Sequence, residues 1–166
     1  MKTPAPDAFL LGSRSRLDRR DAAWIALAIV AAAALRSIFY GGMSSPDELN
    51  TLRNAAQWWS GRFELRDALF IHDTRPLMFI PVSWSFAAFG VSEATALLWP
   101  FAASLLVVFL VYVIARRLFG RETAVYAVFC AAVFPLFVYE ATRLLPGVVM
   151  NVLVALCALF FVVSED

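Results

Sequence analysis

Four long apolar runs dominate this chain and constrain its fold more than any other feature. They cover residues 22–40, 94–115, 123–139 and 147–163. A helix needs about 20 apolar residues to cross the ~30 Å hydrocarbon core of a bilayer, and each run reaches or approaches that length. The chain is 61% hydrophobic and only 16% charged. We therefore predict an all-α, polytopic transmembrane helical bundle, with a membrane module over residues 22–163.

The first run carries one internal charge, Arg36, near its end. We expect the long side chain of Arg36 to extend to the membrane interface, because a charge in hydrocarbon is costly. A cleaved signal peptide is the alternative for this segment. The length of the run and the further spans after it favour an uncleaved span.

Basic residues indicate the orientation of the bundle. The polar tail over residues 1–21 carries five, and a second cluster lies between the second and third runs. This cluster consists of Arg116, Arg117 and Arg121. Cytoplasmic loops are enriched in such residues. We predict a multi-pass protein of the cell (inner or plasma) membrane, with its amino terminus and residues 164–166 cytoplasmic and the loop at 41–93 outside. The net charge of +1 does not support a nucleic-acid partner.

The loop opens with the sequence Ser45-Pro46-Asp47-Glu48, which is typical of a helix start. Ser45 is suited to the N-cap, proline to the first helical position, and Glu48 to the capping box. Apolar residues follow at helical spacing up to Gly61, so we predict an amphipathic helix over residues 45–61. A second segment, 77–89, is too short to span a bilayer and fits an interfacial helix.

Asp47 is the first candidate for chemistry. The helix dipole favours its ionised form, and a carboxylate fixed at the membrane surface is suited to act as a general base or to bind a divalent metal. Helix capping alone is the alternative explanation for Asp47 and Glu48. The sequence shows no full set of metal ligands, so it leaves the cofactor unknown, with Asp47 as the ligand if a divalent metal binds.

Two further polar clusters flank the apolar segments. His72 and Arg75 precede the short helix, and form either a solvated turn or a polar wall facing a charged headgroup, in which Arg75 binds a lipid phosphate. Glu140 and Arg143 lie between the third and fourth runs. Their spacing of three permits an ion pair within a helix. Alternatively, both face the same outer cavity as Asp47 and help to bind the substrate or its lipid phosphate.

The order of these motifs resembles the amino-terminal part of GT-C glycosyltransferases. The likeness is to family 39, which contains the dolichyl-phosphate-mannose protein mannosyltransferases and the bacterial lipid A aminoarabinose transferase. The motifs are Ser45-Pro46-Asp47-Glu48, residues 55–62, Thr74-Arg75-Pro76-Leu77, residues 89–93, residues 115–120 and residues 141–146.

This resemblance implies an inverting transferase that uses a polyprenyl-phosphate sugar on the extracytoplasmic face. It implies that Asp47 deprotonates the acceptor and that Glu48 is the second acid of the pair. Negative charge develops on the departing lipid phosphate, and a nearby cation stabilises it. Arg75 and Arg143 are the candidates for that cation.

The chain departs from the family pattern in two ways. Gly147 stands where family members commonly carry an acid, and the family's enzymes have many more spans. We therefore expect a fragment, or a chain completed by another membrane subunit. A non-catalytic subunit or degenerate homologue that acts as a binding or scaffold module is the alternative. A small transporter is a third hypothesis, but intramembrane charge would favour it, and only Arg36 lies within a predicted span.

Overall fold

The structure, a computed structural model, describes residues 17–64 and 75–164, and these ranges contain seven α-helices and no strand. The helices are α1 (Arg19–Ile38), α2 (Pro46–Trp59), α3 (Pro76–Phe89), α4 (Glu93–Phe119), α5 (Arg121–Val133), α6 (Pro135–Ala141) and α7 (Gly147–Ser164). The predicted all-α fold is confirmed. Residues 1–16 of the predicted tail, His72 and the last two residues lie outside the described ranges.

Within the described residues, three helices are long and apolar enough to cross a membrane: α1, α4 and α7. Helices α5 and α6 make a fourth crossing if the pair is taken as one span, although they meet at an angle of 54°. The apolar run at 123–139 is therefore not one straight helix. Helix α1 begins at Arg19, so the last residues of the predicted tail belong to the first span.

The bend between α5 and α6 has a local cause. Pro135 has no N–H, so it cannot donate to the carbonyl group one turn earlier, and its ring disfavours helical geometry at the preceding residue. Phe134 accordingly adopts an extended conformation, with φ −62° and ψ 120°. The last carbonyl groups of α5 are left without helical donors and need other partners.

Arg36 supplies one of those partners. Its Nη1 donates to the carbonyl of Ala132 at 3.1 Å and to that of Ala32 at 3.0 Å, and its Nε donates to Ser104 Oγ at 2.7 Å. The expectation that Arg36 reaches the interface is wrong, because the residue is only 1% exposed. The freed carbonyl and the negative end of the α5 dipole stabilise the cation inside the bundle.

Small residues on α1 allow it to pack closely against α4 and α5. Ala28 and Ala32 are fully buried and contact the same core as Tyr112 and Val128. Small side chains let helix backbones approach closely, which strengthens the van der Waals contacts between the helices. These contacts matter in a bilayer, because lipid tails are as apolar as the side chains and the hydrophobic effect does not drive the helices together.

A buried carboxylate links the helices by hydrogen bonds at the end of the bundle where α1 begins. Asp18 and Asp21 form a reciprocal capping box at the start of α1. Asp21 Oδ1 also accepts hydrogen bonds from Tyr112 at 2.6 Å, from Arg121 Nε at 2.9 Å and from Arg116 Nε at 3.4 Å. Two of the arginines that indicate the orientation of the bundle therefore also join α4 and α5 to α1.

At the opposite end, α2 and α3 pack over the bundle. Phe79 and Phe86 of α3 share a buried core with Ala55 of α2 and Leu144 after α6. The inward face of α2 is mostly polar, whereas Leu49 and Trp59 are exposed. The apolar positions of α2 thus lie partly on its outer side, an arrangement that fits a helix resting on a bilayer.

Replacing Asp21 tests whether its carboxylate stabilises the end of the bundle where α1 begins. Asp21→Asn should lower the free energy of unfolding by about 3 kcal/mol, because it leaves the buried Tyr112 hydroxyl and two partly buried arginines without an anionic partner. Titration with SDS in mixed micelles measures this quantity. Glu122→Gln is the matched control, since it makes the same change at an exposed acid of α5. Equal stability of the two variants would contradict the assignment.

Candidate functional site

The candidate site is built on the first turn of α2. Ser45 is the N-cap, its Oγ accepts from the Asp47 N–H at 3.2 Å, and Glu48 Oε2 accepts from the Ser45 N–H at 2.9 Å. Pro46 occupies the first helical position. The predicted capping box is therefore confirmed, and it fixes the direction in which the two acids project.

Glu48 lies fully buried at the centre of a hydrogen-bond network. Besides Ser45, its carboxylate accepts from the N–H of Ser44 at 3.0 Å, the N–H of Leu144 at 3.3 Å and Arg143 Nη1 at 2.9 Å. Burial raises the pKa of Glu48, but these hydrogen bonds outweigh it and hold the pKa below its ordinary value. Glu48 is thus an ionised anchor inside the protein.

Arg143 connects this anchor to the turn between α6 and α7. Its Nη1 also donates to Ser44 Oγ at 2.6 Å, and its guanidinium lies 5.0 Å from the centre of the Tyr139 ring. The ion pair with Glu140 that the spacing permits is not among the contacts of the described residues, since Arg143 pairs with Glu48 and Glu140 with Asn151. Helix α6 ends at Ala141, so the two residues do not lie one turn apart on a continuous helix, and Arg143 turns toward α2 instead.

Asp47 faces a different way from Glu48. Adjacent residues of an α-helix point about 100° apart, so burial of Glu48 leaves Asp47 partly exposed. The backbone groups of Asp47 belong to the first turn, where its carbonyl accepts from Thr51 Oγ1 at 3.0 Å. The structure therefore offers Asp47 as the accessible acid of the pair and holds its backbone rigidly.

The segment before α2 is tied to α4 by Glu93. The carboxylate of Glu93 accepts from the Met43 N–H at 2.8 Å and from the Tyr40 hydroxyl. Gly42 lies beside it with φ +80°, a conformation that side-chain-bearing residues rarely adopt. The connection from α1 to Asp47 is therefore restrained at both ends.

Glu140 lies in a separate crevice among α4, α6 and α7. The crevice is lined by Ser104, Val107, Phe137, Glu140, Val148 and Asn151. Asn151 Nδ2 donates to Glu140 Oε2 at 2.7 Å. The structure thus separates two residues that the sequence placed side by side, with Arg143 turned toward α2 and Glu140 toward α7.

Arg75 and His72 are the remaining predicted site residues. Arg75 is the N-cap residue of α3, and its carbonyl accepts from the Met78 N–H at 2.9 Å. His72 lies outside the described residues. Across residues 17–64 and 75–164, no three His, Cys, Asp or Glu side chains come together as a metal site.

Sequence reasoning missed Ser44 and Asn151. No pattern marked Ser44, because its contact with Arg143 spans 99 residues of the chain. Asn151 did carry a signal: it is the only amide or charged residue between Gly147 and Val163. A polar residue inside an apolar span usually has a partner in the bundle.

Residues 74–165, more than half of the chain, match the family model described as dolichyl-phosphate-mannose-protein mannosyltransferase. The chain belongs to this family. Neither a curated protein nor a solved structure gives a significant match. The matched region of this mannosyltransferase-family protein contains Arg75, Glu140 and Arg143, while α1 and α2, with Asp47, precede it.

A double-mutant cycle tests the link between Glu48 and Arg143. Glu48→Gln and Arg143→Met should each destabilise this mannosyltransferase-family protein, and the double variant should lose about 2 kcal/mol less than the two losses added together. SDS titration measures the three values. Glu122→Gln is the control, since it makes the same change at an exposed acid, and we expect it to change stability little. Additive losses for Glu48 and Arg143 would contradict the link.

The lowered pKa of Glu48 predicts a pH dependence of stability. A depressed pKa in the folded state means that Glu48 stabilises the protein above the ordinary carboxyl pKa of about 4.3 and loses this effect as the pH falls through its folded value. The difference in unfolding free energy between the natural protein and Glu48→Gln should therefore shrink below about pH 4.3. A difference that stays constant from pH 7 to acid would contradict this assignment.

Proposed function

We propose that this protein transfers a sugar from a polyprenyl-phosphate donor to an acceptor hydroxyl on the extracytoplasmic face of the cell membrane. Membership in the mannosyltransferase family supports a lipid-linked donor. The observation that carries the proposal is the pair formed by Glu48 and Arg143, which pins the first turn of α2 and leaves Asp47 partly exposed. A rigidly placed, accessible carboxylate is what a general base requires.

Asp47 takes the proton from the acceptor hydroxyl in the proposed reaction. The acceptor oxygen forms a bond to the anomeric carbon while the bond from that carbon to the phosphate oxygen breaks, which inverts the configuration. The proton ends on Asp47 and the electron pair on the departing lipid phosphate. Glu48 has an anchoring role, since its carboxylate is buried and already accepts four hydrogen bonds.

A cation near the departing phosphate would stabilise its growing charge. Arg143 is suited to this role, because its side-chain hydrogen bonds within the described residues come from Nη1 and its side chain is 21% exposed. Pairing with Glu48 fixes its guanidinium before the donor binds. Arg75 at the start of α3 and His72 before it are the other phosphate-binding residues that we propose.

The orientation in this proposal follows from the basic residues. Arg116, Arg117 and Arg121 lie at the end of the bundle where α1 begins, away from α2. The positive-inside rule counts such residues even where acids neutralise them, which supports a cytoplasmic amino terminus in the inner or plasma membrane. Asp47 then lies outside, where a lipid-linked sugar would meet its acceptor.

Asp47→Asn tests the proposed chemistry in membranes that contain the full natural protein. Transfer of mannose from dolichyl-phosphate mannose to a hydroxyl-bearing peptide should fall by about 10²- to 10⁴-fold, the range expected when a general base is lost. Glu122→Gln, the same change at the opposite end of the bundle, should leave the rate unchanged.

Two outcomes would overturn the proposal. Full activity of Asp47→Asn would remove the assignment of the base. Absence of transfer by the natural protein, with bound lipid-linked sugar still detected, would favour the alternative of a non-catalytic binding or scaffold module. Expression and melting temperature of each variant separate a chemical defect from a folding defect.

A further inference from the structure

The crevice beside Asn151 contains a carboxylate that the proposed reaction does not use. Glu140 is half-buried, and Asn151 Nδ2 donates to its Oε2. Among the described residues, no other side chain forms a hydrogen bond or ion pair with Glu140. Its Oε1 is not among the buried atoms without a partner, so it is an acceptor that a ligand can reach.

Gly147 makes room for this carboxylate. A Cβ atom placed on Gly147 would lie 2.2 Å from Glu140 Oε1 and 2.6 Å from its Cδ, far inside van der Waals contact. Glu140 thus occupies the space that a side chain at position 147 would fill. Gly147 also begins α7, so the Glu140 carboxylate lies beside the amino-terminal end of that helix.

A second polar group without a partner lies behind the same wall. Ser104 lines the crevice and accepts from Arg36 Nε, and Arg36 Nη2 is buried with no hydrogen-bond partner among the described residues. Arg36 does not itself line the crevice, so the wall presents only the Glu140 carboxylate oxygen as an acceptor that no described residue binds. A carboxylate oxygen in this position is suited to accept a hydrogen bond from a polar ligand.

The sign of the charge restricts that ligand. A carboxylate repels a phosphate but accepts hydrogen bonds from hydroxyl or ammonium groups. We propose that Glu140, held over Gly147 by Asn151, binds a hydroxyl or ammonium group of the transferred sugar or of the acceptor. This proposal rests on the proposed function and separates two parts of the site: Arg143 and Arg75 serve the phosphate, whereas Glu140 serves the sugar or the acceptor.

A substitution at Gly147 can displace the Glu140 carboxylate without removing it. Gly147→Ala should displace Glu140, because the clashing atoms are the far end of a flexible side chain that can rotate away. The cost in stability should be small, since alanine is a better helix former than glycine. Gly41→Ala is the matched control, because a Cβ atom at Gly41 meets no atom within 4 Å.

The experiment measures the KM values for dolichyl-phosphate mannose and for the hydroxyl-bearing peptide, using the full natural protein in membranes. Glu140→Gln and Gly147→Ala should each raise the KM for one of the two substrates about tenfold, the loss expected for one hydrogen bond to a charged group. Melting temperatures should stay unchanged, and Gly41→Ala should match the natural protein. The affected substrate identifies which molecule carries the bound group.

A combined variant excludes a purely structural role. Glu140→Gln with Gly147→Ala should raise the KM no further than either change alone, because both remove the same contact. Unchanged KM values in both single variants would overturn the inference. So would KM values that return to normal in Glu140→Ala with Gly147→Ala, since relief of the clash alone would then explain the effect.

If the proposed function fails, a binding measurement still tests this inference. If the natural protein transfers no sugar, the shift in its melting temperature on adding dolichyl-phosphate mannose, or the peptide, replaces the KM as the readout. A shift that Glu140→Gln and Gly147→Ala both reduce, and Gly41→Ala does not, supports the binding role. Identical shifts in all four proteins, or no shift in any, would overturn it.

Discussion

The ion pair between buried Glu48 and partly exposed Arg143 holds together the two parts of the molecule that form the candidate site. It joins the first turn of α2 to the turn between α6 and α7, two segments 95 residues apart in the chain. A carboxylate buried in this way needs several donors, and here two backbone N–H groups before α2, one at Leu144 and the arginine supply them. Asp47 owes its fixed position to a neighbour that takes no direct part in the proposed chemistry.

The same demand for paired polar groups shapes the rest of the bundle. Asp21 gathers Tyr112, Arg116 and Arg121 at one end, and Arg36 binds a carbonyl freed by the break at Pro135. In an apolar environment, charges and unpaired backbone groups are stabilised only by other protein groups. The bend between α5 and α6 and the burial of Arg36 are therefore two aspects of one arrangement.

In the proposed transferase, separate segments of the chain supply the functional groups. Helix α2 presents the base, the turn after α6 presents a cation, and the start of α7 receives Glu140 in the space left by Gly147. One short stretch, residues 140–147, therefore connects the phosphate-binding and sugar-binding roles that we propose.

The sequence by itself determined the all-α membrane fold and the start of α2, because apolar run length and capping residues act over a few neighbouring positions. It also marked Glu140 and Arg143 as residues of interest. Only the tertiary structure decided their partners, since contacts across 11 and 95 residues depend on how the helices pack. For the same reason, the position of Arg36 near the end of an apolar run predicted that its side chain reaches the interface. In the structure it lies inside the bundle, where it donates to a carbonyl group freed by the break at Pro135.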